Sequence, residues 1–294
     1  MVHHCPAVSD VARKRPGVAI DWVVEEPFAG IASMHASVRR VIPVRLRRWR
    51  SAWWRSATWR EIGEFRAGLA AERYDAVIDS QSLLKSAFIS AHAHGERYGM
   101  DGASARESLA ACFYQHRYPV PRGLHAVERN RRLTAAALGY ELDLPLDYGL
   151  RPVRGEEGGV PYVVFLTMSS RADKLWPEER WIELGRALAL RAMLPWGSEE
   201  ERARAARIAS GLPQAEVLPR MTLEQLARLF GSSQVVVGVD TGLTHLAAAS
   251  GARTVGIYCG SDPALTGIFG AARAVNVGTL GTTPVVAEVQ RALR

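Results

Sequence analysis

The sequence predicts an α/β protein made of two doubly wound domains, and three observations carry that reading. Apolar, β-branched runs alternate with helical patterns through both halves of the chain. A polar stretch containing Pro and Gly, residues 141–159, separates the two alternating series. At 294 residues the chain is long enough for two hydrophobic cores. The expected domains are residues 1–150 and 151–294, facing each other across a cleft.

In the first half, residues 6–15 read as a helix and 18–25 as a strand. A Trp/Arg segment and residues 59–71 read as helical, 74–79 as a strand, and 81–91 as a helix. Residues 97–100 form a short strand, and 126–138 a helix closed by Gly139. In the second half, 162–166 is a strand and 177–190 a helix with Pro177 at a favoured early position. Residues 192–196 are a short strand, 199–210 a helix stopped by Gly211, and 215–218 a strand. A helix with an acidic first turn starts at Thr222, and 254–258 is a further strand.

The most informative stretch is 235–249. Val235, Val236, Val237 and Val239 read as a buried strand, and Leu243, Leu246 and Ala247 share a helix face. Asp240 or Thr241 is then a helix cap at a strand end. Helix starts attract phosphate, and Gly242 admits a ligand close to the backbone. The stretch reads as a diphosphate cradle faced by His245. Ser169, Ser170 and Lys174 follow the strand that opens the second half and suit the same ligand. An ordinary polar loop is the alternative for them. Glu201 could hold a ribose hydroxyl or be helix surface. Asp79, at a strand end, is catalytic or a cap, and Lys85 on the next helix could meet an acidic acceptor.

Composition excludes several classes. Hydrophobic residues make up 48% and charged residues 23%, ordinary for a water-soluble domain protein. No apolar run approaches the ~18 residues of a membrane span. The N-terminus lacks a signal-peptide core, and three scattered cysteines argue against a disulfide framework or structural zinc, so a cytoplasmic location is expected. The tripeptide Asp240-Thr241-Gly242 occurs once, at a strand-to-helix turn, so an aspartic protease is rejected. Nucleotide-binding glycine motifs, His-Glu-x-x-His, a nucleophile elbow and Cys-x-x-Cys are all absent.

The net charge is +7, of which residues 1–150 carry +5. The excess concentrates in Arg45, Arg47, Arg48 and Arg50, flanked by Arg39, Arg40, Arg55 and Arg60 and interleaved with Trp49, Trp53, Trp54 and Trp59. Nucleic acid, anionic lipid or an acidic substrate fits such a patch, and a solvated helix face is the bland alternative. Lysine is rare: Lys14, Lys85 and Lys174 stand among 34 arginines. A retained Lys suggests a need for a compact ammonium, and Lys85 and Lys174 both follow strand ends.

Many ordered motifs then resemble the lipopolysaccharide heptosyltransferase I family, within glycosyltransferase family 9, over nearly the whole chain. They include 21–26, Arg47-Arg48-Trp49-Arg50, 74–79, 84–87, 105–107 and 125–129. In the second half they include Asp173-Lys174-x-Trp176-Pro177-Glu178, Leu194-Pro195-Trp196-Gly197, 217–221, 240–249 and Asp262-Pro263. The resemblance implies a GT-B fold of two Rossmann-like domains. It implies inverting, metal-independent transfer of L-glycero-D-manno-heptose from ADP-heptose to Kdo of Kdo2-lipid A, at the cytoplasmic face of the inner membrane. Ser169, Ser170, Lys174, Glu201, Met221, Asp240, Thr241, Gly242 and His245 would bind the donor, with Lys174 stabilising the leaving group. Arg47, Arg50, Lys85, Arg106 and Arg129 would bind the anionic acceptor, which favours acidic substrate over nucleic acid. Alternatives are heptosyltransferase II or III, or an inactive chain that still binds ADP-sugar.

The sequence departs from this family in several places. Ser169 and Ser170 replace threonines, and Ser51 stands where a Lys is common. The family opens with a strand and a loop reading roughly Ser-x-Gly-Asp, a variable pair, His and Pro. His3 matches that His, so the expected general-base Asp precedes Met1. His3 and Asp10 are the other candidates for the base. A misassigned start codon is expected, leaving a doubly wound sheet without its central strand and with unpaired edges. Residues 189–193 look short for a helix-to-strand link.

Overall fold

The computed structural model describes residues 1–150 and 160–294, so the glycine-rich part of the expected linker, 151–159, lies outside the described residues. The chain divides into two compact units. One holds His3–Ser33 and Ser37–Gly149. The other holds Leu150–Arg294 together with Met1–Val2 and Met34–Ala36.

The N-terminal unit runs α1 (Cys5–Lys14), β1 (Ile20–Glu25), α2 (Ala29–Ser33), β2 (Val38–Val44), α3 (Leu46–Ser51), α4 (Ser56–Ala70), β3 (Val77–Asp79), α5 (Leu84–Ser90), β4 (Arg97–Met100), β5 (His116–Tyr118) and α6 (Ala126–Leu138). Its strands form two separate parallel sheets, β1–β2 and β3–β4–β5. Among the described residues β1 and β3 are therefore each paired on one edge only. Tyr74, just before β3, reaches the first sheet: its hydroxyl donates to Asp21 at 3.0 Å and accepts from Arg40 at 2.9 Å.

Helix α1 is anchored on α6. The buried Asp10 carboxylate accepts two bonds from Arg131, at 2.6 and 3.0 Å, and Arg15 donates to the carbonyls of Leu138 and Gly139 at the end of α6. Gly139, at φ 65°, ends α6 as expected.

The C-terminal unit runs β6 (Tyr162–Leu166), α7 (Glu178–Leu188), β7 (Arg191–Leu194), α8 (Glu199–Ser210), β8 (Ala215–Val217), α9 (Leu223–Ser232), β9 (Val235–Val239), α10 (Gly242–Ala249), β10 (Thr254–Tyr258), α11 (Pro263–Thr266), β11 (Ala274–Gly278) and α12 (Val286–Ala292). Six parallel strands lie in the order β11-β10-β9-β6-β7-β8. From β6 the chain winds outward through β7 and β8, then returns to the other side of β6 at β9. The topological switch point lies between β6 and β9, where a doubly wound sheet opens a crevice at its carboxyl edge. Both strands are nearly all buried, with Phe165, Trp176, Trp181 and Leu184 in the core beside them.

Several sequence expectations change. Strand β2 takes Arg39 and Arg40 out of the Trp/Arg segment and pairs them with Asp21 and Glu72. Strands β5 and β11 were not expected, because three and five residues of mixed polarity carry little periodic signal. Pro177 is the cap before α7, not its first residue. The short 189–193 link closes because Ala189 adopts φ 52°, ending the helix in the left-handed region at about 1 kcal/mol.

Candidate functional site

Asp240 is the hub at the switch point. It is 5% exposed, just beyond β9. Lys174 Nζ donates to its Oδ2 at 2.7 Å, Ser261 Oγ to the same oxygen at 2.5 Å, and His245 Nε2 lies 3.2 Å from Oδ1. Ser169 Oγ donates to the Asp240 carbonyl at 3.0 Å. Burial acts to raise the Asp240 pKa, but the bonds from His245, Lys174 and Ser261 outweigh it and hold the carboxyl well below the ordinary range. Asp240 is therefore an anion that fixes an ammonium and an imidazole at the mouth of the crevice.

The local sequence makes this hub. Helix α10 packs tightly on β9 because residue 238 is Gly: a Cβ there would lie 2.2 Å from Thr244 Oγ1. Thr244 Oγ1 in turn donates to the Val239 carbonyl at 2.7 Å, which fixes where the helix begins. Gly260 brings the loop after β10 against the loop after β6, since its Cβ would fall 2.6 Å from the Asp173 carbonyl oxygen. That approach lets Ser261 and Lys174 share one carboxylate oxygen.

Neither Asp240 nor Thr241 caps α10 with its side chain: Thr241 occupies the cap position without a side-chain bond, and Asp240 is engaged elsewhere. The N–H groups of Thr244 and His245 donate to the Thr241 carbonyl at 3.1 and 3.3 Å, which leaves those of Gly242 and Leu243 at the helix start without an intrahelical acceptor. An added Cβ at Gly242 would meet nothing within 4 Å, so the space above the helix start is open.

The remaining donor candidates stand at neighbouring strand ends. Ser170 is exposed in the loop after β6. Glu201 is in the first turn of α8, where its Oε2 accepts from Gly197 N–H at 2.7 Å. Met221 lies half-buried between β8 and α9. No hydrogen bond among the described residues links Ser170, Glu201 or Met221 to the Asp240 hub. Ser261 is the member that sequence reasoning missed. Its only signal was a small polar residue just beyond a strand end.

A second, cationic group lies in the N-terminal unit. Arg129, on α6, donates to the Ser104 carbonyl at 2.6 Å, while its buried Nε has no partner. Burial, and then the charges of Arg122 and Arg106, lower its pKa. Three guanidiniums thus stand near one another, and none of them forms an ion pair among the described residues. Arg122 was not expected; it donates to the Ala105 carbonyl. Arg47 and Arg50 are exposed on α3, and Lys85 is exposed on α5. No hydrogen bond or ion pair among the described residues joins these three to the Arg129 group.

Three carboxylate or imidazole candidates find other employment. Asp79 is buried and accepts from Gln81 N–H, Ser82 N–H, Ser86 Oγ and Tyr114 Oη, so it staples the turn after β3. Burial raises its pKa in spite of those bonds. Asp10, tied to Arg131, is not free to act as a base. His3 packs edge-on against His125 at 5.4 Å, beside the start of α6.

A doubly wound sheet with charged and hydroxyl side chains gathered at its switch point is the arrangement in which α/β proteins commonly hold a nucleotide. The chain belongs to glycosyltransferase family 9, the heptosyltransferases, whose family model matches residues 62–293; it is a glycosyltransferase. It is 44% identical to lipopolysaccharide heptosyltransferase 1 of Escherichia coli K12 over 289 residues, covering 92% of this chain and 87% of that protein. The corresponding Pseudomonas aeruginosa protein is also 44% identical, over 92% of this chain and 78% of its own length. The structure of E. coli heptosyltransferase WaaC with ADP superposes with a TM-score of 0.88 at 42% identity, covering 99% of this chain and 94% of that one. The predicted GT-B class of α/β fold with parallel sheets is thereby the observed one.

Proposed function

We propose that the protein transfers L-glycero-D-manno-heptose from ADP-heptose to Kdo of Kdo2-lipid A, with inversion and without a metal ion. The observation that carries this reading is the Asp240 hub at the switch point of a family 9 fold. Relatives named lipopolysaccharide heptosyltransferase 1, and a WaaC structure with ADP-2-deoxy-2-fluoro heptose, support the choice of donor.

In this reading Ser169, Ser170, Lys174, Thr241, Gly242 and His245 hold the diphosphate and sugar, and Glu201 and Met221 hold the nucleoside. Attack of the acceptor hydroxyl on the anomeric carbon breaks the bond to ADP. Negative charge then grows on the departing phosphate, where Lys174 and the open start of α10 offset it. Asp240 holds Lys174 Nζ in place until the phosphate arrives. Arg106, Arg122 and Arg129, with Arg47, Arg50 and Lys85, would receive the anionic acceptor, which suits side chains that form no ion pair among the described residues. The enzyme would work peripherally at the cytoplasmic face of the inner membrane.

The test is transfer of radiolabelled heptose from ADP-heptose to Kdo2-lipid A, beside Lys174→Ala. Product formation that falls about a hundredfold in the variant supports the assignment. Unchanged kinetics would remove Lys174 from the chemistry. Binding of ADP-heptose without transfer would leave the inactive-binder alternative standing.

A further inference from the structure

The turn between α3 and α4 carries a feature the donor and acceptor sites do not use. Trp53, Trp54 and Trp59 are 64%, 65% and 61% exposed. They are held out by a built turn, not a loose one. Thr58 Oγ1 donates to the Ala52 carbonyl at 2.9 Å, Arg55 N–H to Ala52 at 3.0 Å, and Trp59 Nε1 to the Trp53 carbonyl at 2.8 Å. Trp49, by contrast, is buried against Phe65 and Glu61, so the same segment has a packed face and an exposed aromatic one.

Charge surrounds that aromatic tip. Residues 45–60 contain six arginines and no acidic residue. Arg45 and Arg48 are neutralised by Glu26 and Glu61. Arg50 and Arg55 have no carboxylate partner among the described residues, and Arg60 approaches Glu64 only at 3.8 Å with both side chains exposed.

We propose that this turn is an interfacial anchor: Trp53, Trp54 and Trp59 seat among the headgroups of an anionic lipid leaflet, with Arg55 and Arg60 against its phosphates. Indoles favour the water–bilayer boundary because they pair an apolar body with an N–H donor. Each arginine at an anionic surface adds about a fivefold gain in partitioning. A second copy of the chain is a poorer occupant, because a two-fold contact would set arginine against arginine. Single-stranded nucleic acid is poorer too: Trp53 and Trp54 meet edge-on at 83°, which is no parallel platform for stacked bases. The inference rests on the peripheral-membrane part of the proposed function and names the surface responsible.

The experiment measures sedimentation with phosphatidylcholine vesicles, with and without phosphatidylglycerol, and tryptophan quenching by brominated lipid. The full chain is compared with Trp53→Ser/Trp54→Ser/Trp59→Ser and with Arg55→Gln. Wild type should bind the anionic vesicles and be quenched. The triple variant should lose roughly tenfold or more in partitioning together with the quenching, and Arg55→Gln about fivefold. Both variants should still transfer heptose to a detergent-dispersed acceptor, which shows that they fold.

Equal quenching in wild type and triple variant would overturn the anchor, as would no vesicle binding by wild type. Loss of a dimer in sedimentation, or loss of salt-dependent oligonucleotide binding, in place of lost vesicle binding would overturn it too. Vesicle binding through the tryptophans without any heptose transfer would keep the anchor and defeat the proposed reaction. Transfer without vesicle binding would do the reverse.

Discussion

The two charged groups of this molecule are built on opposite plans. In the C-terminal unit, Asp240 neutralises Lys174 and orders His245 and Ser261 around itself. In the N-terminal unit, Arg106, Arg122 and Arg129 stand together and form no ion pair among the described residues, and one buried guanidinium nitrogen of Arg129 has no hydrogen-bond partner there. The first group is self-contained before any ligand binds. The second is held in mutual repulsion, and an arriving anion would relieve it. A preformed counter-charge gives geometry; a missing one gives attraction.

The comparison is most sharply tested at its hub. Asp240→Ala should leave a half-buried ammonium and an imidazole without their partner. Loss of one member of such a pair costs about 3 kcal/mol. Thermal unfolding should move down by about 5 °C or more, and transfer should fall by roughly three orders of magnitude. An unchanged melting temperature would show that the cluster is not self-stabilising.

Arg129→Met should behave in the opposite way. Removing a desolvated cation from beside two others should leave stability within about 1 kcal/mol of wild type, or raise it. The acceptor KM should rise about tenfold with the donor KM unchanged. A melting temperature that drops as far as in Asp240→Ala would erase the distinction between the two groups.

Acid provides the smallest and most specific effect. The Asp240 pKa is depressed in the folded state, so its contribution is full above the unfolded carboxylate value of about 4 and is lost as pH falls through the lower folded value. Asp79, whose pKa is raised, acts with the opposite sign. Unfolding followed from neutral pH into acid should steepen below about pH 4 in wild type and flatten in Asp240→Asn. Parallel curves would assign the acid response to other carboxylates, such as Asp21, which Arg39, Tyr74 and Arg40 hold low.

Much of the fold was legible because buried parallel strands announce themselves. Residues 162–166 and 254–258 and the helices at 126–138 and 199–210 match the observed elements end to end. What stayed hidden was short or amphipathic. Strand β2, Val-Arg-Arg-Val-Ile-Pro-Val, merged with the arginine-rich segment because its charge outweighs its periodicity. The donor candidates Ser169, Lys174, Asp240 and His245 were readable from strand ends, and the structure joins them by hydrogen bonds. Ser261 and Arg122 were not readable, since each owes its place to a contact between loops distant in sequence. Within the arginine patch, Arg39, Arg40, Arg45 and Arg48 are neutralised by carboxylates, whereas Arg50 and Arg55 have no carboxylate partner among the described residues.

Gly260 sets a length by what it lacks. The two loops that converge on Asp240 are spaced by a single hydrogen atom where any other residue would place a carbon against the Asp173 backbone. Gly260→Ala would thus act as a one-methyl wedge. It would lengthen the Ser261 and Lys174 contacts without altering one charged or polar group. The mouth of the crevice can in this way be retuned by steric thickness alone, from a position that offers the ligand no side chain at all.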